Sequence, residues 1–274
     1  MRLEDRPNSK FRRSPQVLLL KPSVLAVSGH DPTGGAGIQA DIEAILSQGC
    51  HPCTLVTCLT CQDTQNILRY YPQSPAALGD QWDTLLADVP IQAVKLGLLG
   101  SVEVAALLSD KLRQLACDKV ILDPVLRASG GTKLADKRLL EVICDGLLPL
   151  TTVATPNLEE ARQLSGEELP HQCAQWLLDR GCQAVLITGG DEPTPLVYNT
   201  LYWHQGHKTF TWEKLPGGAH GSGCTLAASL AALLARGLKL EEAVRKAQQY
   251  TWNAIKYAFS PGQGKQIPYR FFWS

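Results

Sequence analysis

Short runs of apolar, β-rich residues alternate along this chain with stretches whose apolar side chains recur every three or four positions. Residues 24–27 predict a strand ended by Ser28-Gly29, and residues 37–47 carry Ile38, Ile42, Ile45 and Leu46 at helical spacing. Further strands are expected at 54–60, 92–96, 119–122 and 184–188, and helices at 102–115, 158–164 and 171–179. Residues 196–203 and 208–212 predict late strands. Residues 222–235 and 241–259 predict the two most regular helices. Alternating strands and helices imply an α/β fold with a mostly parallel sheet covered on both faces. Ligands of such sheets sit beyond the carboxyl ends of the strands, so the residues just after each strand are the ones to inspect. Residues 1–20 are expected to be a flexible tail with Lys10, Arg12 and Arg13 in a basic cluster, and residues 21–274 one domain.

Composition narrows the function. The 26 Lys and Arg balance the 26 Asp and Glu, giving a formal net charge of +0. That argues against general nucleic-acid binding, which needs a basic face. No secretory signal and no membrane-spanning run is expected. Nine cysteines cannot all pair within one chain, so they are read as thiols of a soluble, cytoplasmic protein.

Four strand ends and one helix start carry candidate chemistry. The first strand runs into Ser28-Gly29-His30-Asp31-Pro32-Thr33-Gly34-Gly35-Ala36-Gly37, where glycines permit close approach to a ligand. Asp31 can bind a ligand or cap the helix. The second strand ends in Cys61-Gln62-Asp63-Thr64; the Gln62 amide offers one acceptor and two donors, which suits an aminopyrimidine edge. Asp123-Pro124-Val125 follows a third strand. Asn157 and Glu160 share a helix face, either as ligands or as a capping box. Asp123 and Glu160 match the one or two carboxylates that magnesium uses beside phosphates and water. The strongest local signal is Ala219-His220-Gly221-Ser222-Gly223-Cys224-Thr225, opening an Ala/Leu-rich helix. Amides at a helix start hold an anion without net positive charge. Cys224 in the first turn is expected to have a lowered pKa and to be a candidate base. The two C-x-x-C pairs, Cys50/Cys53 and Cys58/Cys61, are read as structural thiols, because their spacing lacks that of a zinc ribbon and they lie along a strand.

In this order the motifs resemble the hydroxymethylpyrimidine/phosphomethylpyrimidine kinase family of the ribokinase-like superfamily. They are residues 28–41, Gln62-Asp63-Thr64, Lys95-Leu96-Gly97, Leu122-Asp123-Pro124-Val125, Thr155-Pro156-Asn157-Leu158-Glu159-Glu160-Ala161 and His220-Gly221-Ser222-Gly223-Cys224-Thr225. The resemblance runs from about Val24 to the end of the chain and takes in Gly262-Gln263-Gly264. It implies a three-layer αβα fold, ATP and magnesium as cofactors, a homodimer, and two successive phosphorylations of 4-amino-5-hydroxymethyl-2-methylpyrimidine. It also implies roles. Gly221, Ser222 and Gly223 would form the anion hole, with Cys224 where many relatives carry an Asp base. Gln62, Gly29, Asp31, Gly35, Gly97 and Val125 would line the substrate side. Asn157, Thr188, Gly190 and His220 would lie on the ATP side, and Asp123 and Glu160 on the magnesium side. Thr188 stands where many members have Lys, Leu98 where Met is common, and Gly218-Ala219 where Asn-Thr is usual. Two rival readings are a pyridoxal kinase and a non-catalytic pyrimidine sensor.

Overall fold

The computed structural model describes residues 21–127 and 130–274; the expected tail falls outside them. One nine-stranded sheet organises the fold. Its strands are β1 (Ser23–His30), β2 (His51–Gln62), β3 (Ile67–Pro72), β4 (Ala93–Leu96), β5 (Val120–Leu122), β6 (Val153–Ala154), β7 (Ala184–Ile187), β8 (Leu196–Trp203) and β9 (Gly206–Glu213). The order across the sheet is β3-β2-β1-β4-β5-β6-β7-β8-β9. β2, β1, β4, β5, β6 and β7 run parallel, while β3 pairs antiparallel with β2, and β8 and β9 extend the far side antiparallel. The chain order reverses beside β1, where a crevice opens at the carboxyl ends.

The helices are α1 (Gly37–Ser47), α2 (Pro75–Asp88), α3 (Val102–Gln114), α4 (Lys137–Val142), α5 (Leu158–Ser165), α6 (Pro170–Asp179), α7 (Ser222–Ala235) and α8 (Leu240–Lys256). Alternation along the strands divides the interior into two cores. Leu25 and Val27 of β1, with Val94, Leu122 and Val185, face α2 through α6. Val24 and Ala26, with Ile121, Val153 and Leu186, face α1, α7 and α8. Because both faces are covered, the central strands read as continuous apolar runs. α7 is buried from Thr225 to Leu234, as an all-round apolar helix must be.

Most of the expected elements appear with small shifts at their ends. β2 begins earlier and ends later than expected, so Cys53, Cys58 and Cys61 lie on it. Cys58 is buried and Cys61 exposed, and all nine cysteines are free thiols. β3, α2 and α4 went unpredicted. β3 is an edge strand on which only Ile67 is buried. α2 starts at Pro75 behind a Ser74 side chain that accepts a hydrogen bond from the Ala77 amide, and it buries only Leu78, Gly79 and Trp82. α4 has six residues, with Asp136 capping the Leu139 amide. Among the described residues, no helix is long and apolar enough to cross a membrane.

Candidate active site

Beyond the carboxyl ends of the parallel strands, the loops enclose a cleft of about 1070 Å³. Two glycine-rich turns meet there. In the turn between β1 and α1, the Asp31 carboxylate is fully engaged by the chain. Oδ1 accepts from the Thr33 amide and hydroxyl, each at 2.8 Å, and Oδ2 accepts from the Ala36 amide at 2.8 Å. His220 Nε2 lies 2.8 Å from the same Oδ2. Burial pushes the Asp31 pKa up, but hydrogen bonds from His220, Gln62 and Thr33 overcome it and hold the carboxyl well below its usual range. Asp31 therefore organises the turn and compensates the α1 N-terminus, where Ala36 supplies no side-chain cap. His220, expected on the phosphate side, spends this ring nitrogen on joining the two turns.

The second turn opens α7. Gly221 is its N-cap at φ +84°, and no side chain caps the helix. The amides of the first turn, at Ser222, Gly223 and Cys224, are thus available to an anion. Thr225 closes the turn by donating from Oγ1 to the Gly221 carbonyl at 2.8 Å. The Cys224 thiol sits within hydrogen-bond reach of Asp123 and of the Gly37 amide. Its expected low pKa is not what the structure gives. Burial pushes the thiol up to about 12; Lys95 pulls it down, while Asp123 and Asp41 push it up. Loss of solvent and neighbouring carboxylates outweigh the helix dipole.

Beneath this turn lies a buried charge cluster that joins residues of three of the quoted motifs, an association the sequence does not reveal. Lys95 Nζ is 2.8 Å from Asp41 Oδ1 and 3.7 Å from Asp123 Oδ2, and both Lys95 and Asp41 have fully buried side chains. Burial opposes the charge on Lys95, but Asp41, Cys224 and Asp123 outweigh it and raise the ammonium's pKa. Burial, partly offset by Lys95, raises Asp41 to about 6. The signal was present as a single Lys within the otherwise apolar β4 and a single Asp on the buried face of α1.

Asn157 and Glu160 form the capping box that sequence left as an alternative. Asn157 Oδ1 accepts from the Glu160 amide at 2.8 Å, and Glu160 Oε2 accepts from the Asn157 amide at 3.0 Å. Both also line the cleft. Thr188 donates its amide to the Pro156 carbonyl at 3.0 Å and bridges to Asn157, with Gly190 just beyond on the same wall. Burial, reinforced by Asp123, raises Glu160 to about 8. Its proton is therefore retained in the folded state but lost from the unfolded chain between about pH 4.5 and 8, so folding stability falls as pH rises through that window. In metal-free buffer, the Tm of Glu160→Gln should rise relative to wild type from pH 5 to pH 8. A difference that does not change with pH would refute this assignment.

The substrate-side floor is apolar. Cys58, Ile67, Leu98 and Leu134 cluster there, with Tyr70 and Val125 against them. Gln62 stands above this floor at the end of β2, and a Cβ on Gly29 would lie 2.9 Å from Cys58 Sγ. Gly29, Asp31, Gln62, Val125, Asp123, Asn157, Glu160, Thr188, Gly190, His220 and Gly221 through Cys224 all border the cleft. Gly35 and Gly97 do not, contrary to expectation. Gly35 backs onto His220 and Ile267, and Gly97 onto Ser28 and Lys95. Close packing alone requires a glycine at both positions.

Comparison with known proteins agrees with this geometry. Residues 31–269 match the family described as phosphomethylpyrimidine kinase. The chain is 36% identical over 251 residues to the hydroxymethylpyrimidine/phosphomethylpyrimidine kinase of Synechococcus elongatus, covering 89% of this chain and 95% of that protein. It is 34% identical over 251 residues to the thiamine biosynthesis bifunctional protein ThiED of Geobacter sulfurreducens, covering 88% of this chain but only 51% of that longer protein. Its fold superposes with a TM-score of 0.84 on the pyridoxal kinase of Bacillus subtilis, solved as an ADP complex, with 29% identity over 90% of this chain and 97% of that one. A ribokinase-like sheet, paired glycine turns at its switch point and a family match over nearly all described residues lead to one conclusion: this chain belongs to the phosphomethylpyrimidine kinase family.

Proposed function

We propose that this chain transfers the γ-phosphoryl group of ATP to 4-amino-5-hydroxymethyl-2-methylpyrimidine, and then phosphorylates the monophosphate to the diphosphate. The observation that carries this reading is the pairing of an uncapped α7 N-terminus with a small apolar floor overlooked by the Gln62 amide. The floor accepts the methylated ring and Gln62 reads its amino edge. The amides of Ser222, Gly223 and Cys224 cup the transferring phosphoryl group, whose charge spreads over its equatorial oxygens.

Cys224 faces the acceptor hydroxyl. At neutral pH its thiol is protonated, so it orients the hydroxyl by hydrogen bonding. A loose transition state asks little of a base before the phosphoryl group has left its donor. Magnesium fits the residues present: Asp123 Oδ2 is buried without a hydrogen-bond partner, and Glu160 is a carboxyl whose ionisation lacks a cation. These two would hold the ion, with phosphate oxygens and water completing its shell. Bound there, magnesium would neutralise charge on the β- and γ-phosphates.

Exposed Leu59, Leu68 and Tyr71 on β2 and β3 support a homodimer formed through this sheet edge. Nine free thiols favour a reducing, cytoplasmic setting.

An ADP-release assay with the pyrimidine alcohol, its monophosphate and pyridoxal in parallel tests the reading. ADP is expected with the first two. ADP with pyridoxal alone would make the chain a pyridoxal kinase, the activity named for its structural relative, and no ADP with any of them would leave a binding protein.

A further inference from the structure

Arg270 is a charged residue with 1% of its surface exposed, and it does not border the cleft. Its guanidinium instead spans both glycine turns. Nε donates to Thr225 Oγ1 at 2.9 Å, one terminal nitrogen donates to the Gly34 carbonyl at 3.4 Å, and the other donates to the Gly35 carbonyl. Its charge is met by Glu43 Oε2 of α1 at 3.0 Å. Thr225 in turn donates to Gly221, so a single planar group connects the substrate-side turn to the N-cap of α7.

The backbone of Arg270 is itself anchored. Its carbonyl accepts from Tyr250 Oη of α8 at 3.0 Å and from Ser47 Oγ of α1 at 3.2 Å. The segment leading to it holds the remaining loops. Gly264 donates to Thr64 Oγ1 at 2.9 Å, Lys265 donates to the Thr64 carbonyl at 3.1 Å, and the Gln266 carbonyl accepts from the His220 amide at 2.8 Å.

We propose that Arg270 is a positioning residue for phosphoryl transfer, fixing the separation between the turn at 31–36 and the amide cup at 221–224. The guanidinium is suited to this because its donors are fixed in one plane. A flexible ammonium could satisfy the charge of Glu43 but not three acceptors on two elements. In-line transfer depends on that separation, because a misplacement of about 1 Å can cost about 100-fold in rate. Loosening it should slow transfer to the alcohol more than it weakens binding, and should let water attack in the alcohol's place, giving ADP and inorganic phosphate.

The inference rests on the kinase reading above, and wild-type turnover checks that reading separately. Arg270→Lys keeps the charge and loses the fork. Thr225→Val removes the link to Gly221 and leaves the ion pair between Arg270 and the half-exposed Glu43 in place. In each folded variant kcat should fall about tenfold, KM for ATP and for the alcohol should stay within about threefold, and more ADP should form per phosphorylated product. The double variant should be no slower than the slower single one, because both break the same link. If Arg270→Lys does not fold, Thr225→Val alone decides. An active wild type with unchanged kcat and unchanged coupling of ADP to product in the variants overturns the proposal, as do losses that multiply in the double variant.

Discussion

Replacing Gly221 with alanine should lower kcat by about 100- to 1000-fold, the loss seen when a transition-state amide donor is removed. Two causes act together. Gly221 sits at φ +84°, a left-handed conformation that costs a side-chain-bearing residue about 1–2 kcal/mol. A Cβ there would also run into the Gly35 carbonyl oxygen and lie 2.9 Å from Ala36 Cα. Neither contact can yield, because both are backbone, so the turns must separate and the amide cup must open. Gly237→Ala is the control. Gly237 has φ +83°, yet nothing lies within 4 Å of its added Cβ. It should lose about the same conformational energy and keep its activity. Equal kinetic losses in the two variants would show that backbone strain, and not contact between the turns, is what matters at Gly221.

Lys95→Met should destabilise the fold by about 3–5 kcal/mol, because it leaves Asp41 and Asp123 buried without their cation. For a chain of this size that is a Tm fall of about 10 °C, and urea unfolding gives the free energy directly. Removing both members of the closest pair, as Lys95→Met with Asp41→Leu, should recover part of the loss, since apolar packing replaces that desolvated ion pair at little net cost while Asp123 stays without its cation. A single variant as stable as wild type would show that the cluster is dispensable to the fold. Catalysis should not recover with stability in the double variant, because Asp123 and Cys224 still lack the ammonium beside them.

The parts of this protein that were legible in its sequence are those where local pattern and tertiary role coincide. α7 shows as an unbroken Ala/Leu helix because it is buried all round, and the Gly221–Cys224 entry shows because an uncapped helix start needs glycines. The unpredicted elements break that coincidence. β3 has an exposed edge and so lacks apolar alternation, and α2 buries only a few residues of its length. At the site, sequence offered residue types but not partners. Asp31 reads as a ligand or a helix cap, and its carboxylate is taken up by the turn; Gly35 and Gly97 read as ligand-facing, yet they lie off the cleft against His220 and Lys95. Cys224 reads as an activated thiol because the helix dipole is local, while the burial that opposes it, and the Asp123 and Asp41 carboxylates that add to it, come from distant parts of the chain. Lys95 stands in a quoted motif without a role and Arg270 in none, because a charged side chain in sequence does not show its partners; the fold shows that both are buried.

The sheet order also governs how quickly this architecture can be reached. β1 lies between β2 and β4, and its pairing with β4 joins residues 24–27 to 93–96. α7, from residues 222–235, then packs on β1, β4 and β5. Such contacts close long stretches of chain before they are rewarded, the circumstance that slows folding of parallel sheets. Refolding should therefore pass through a collapsed species in which β1 and β2 are paired while the face awaiting α7 stays open to solvent. A dye that binds apolar surface should brighten early and dim only as turnover returns, because the helix that seals this face also carries the amides of the catalytic turn.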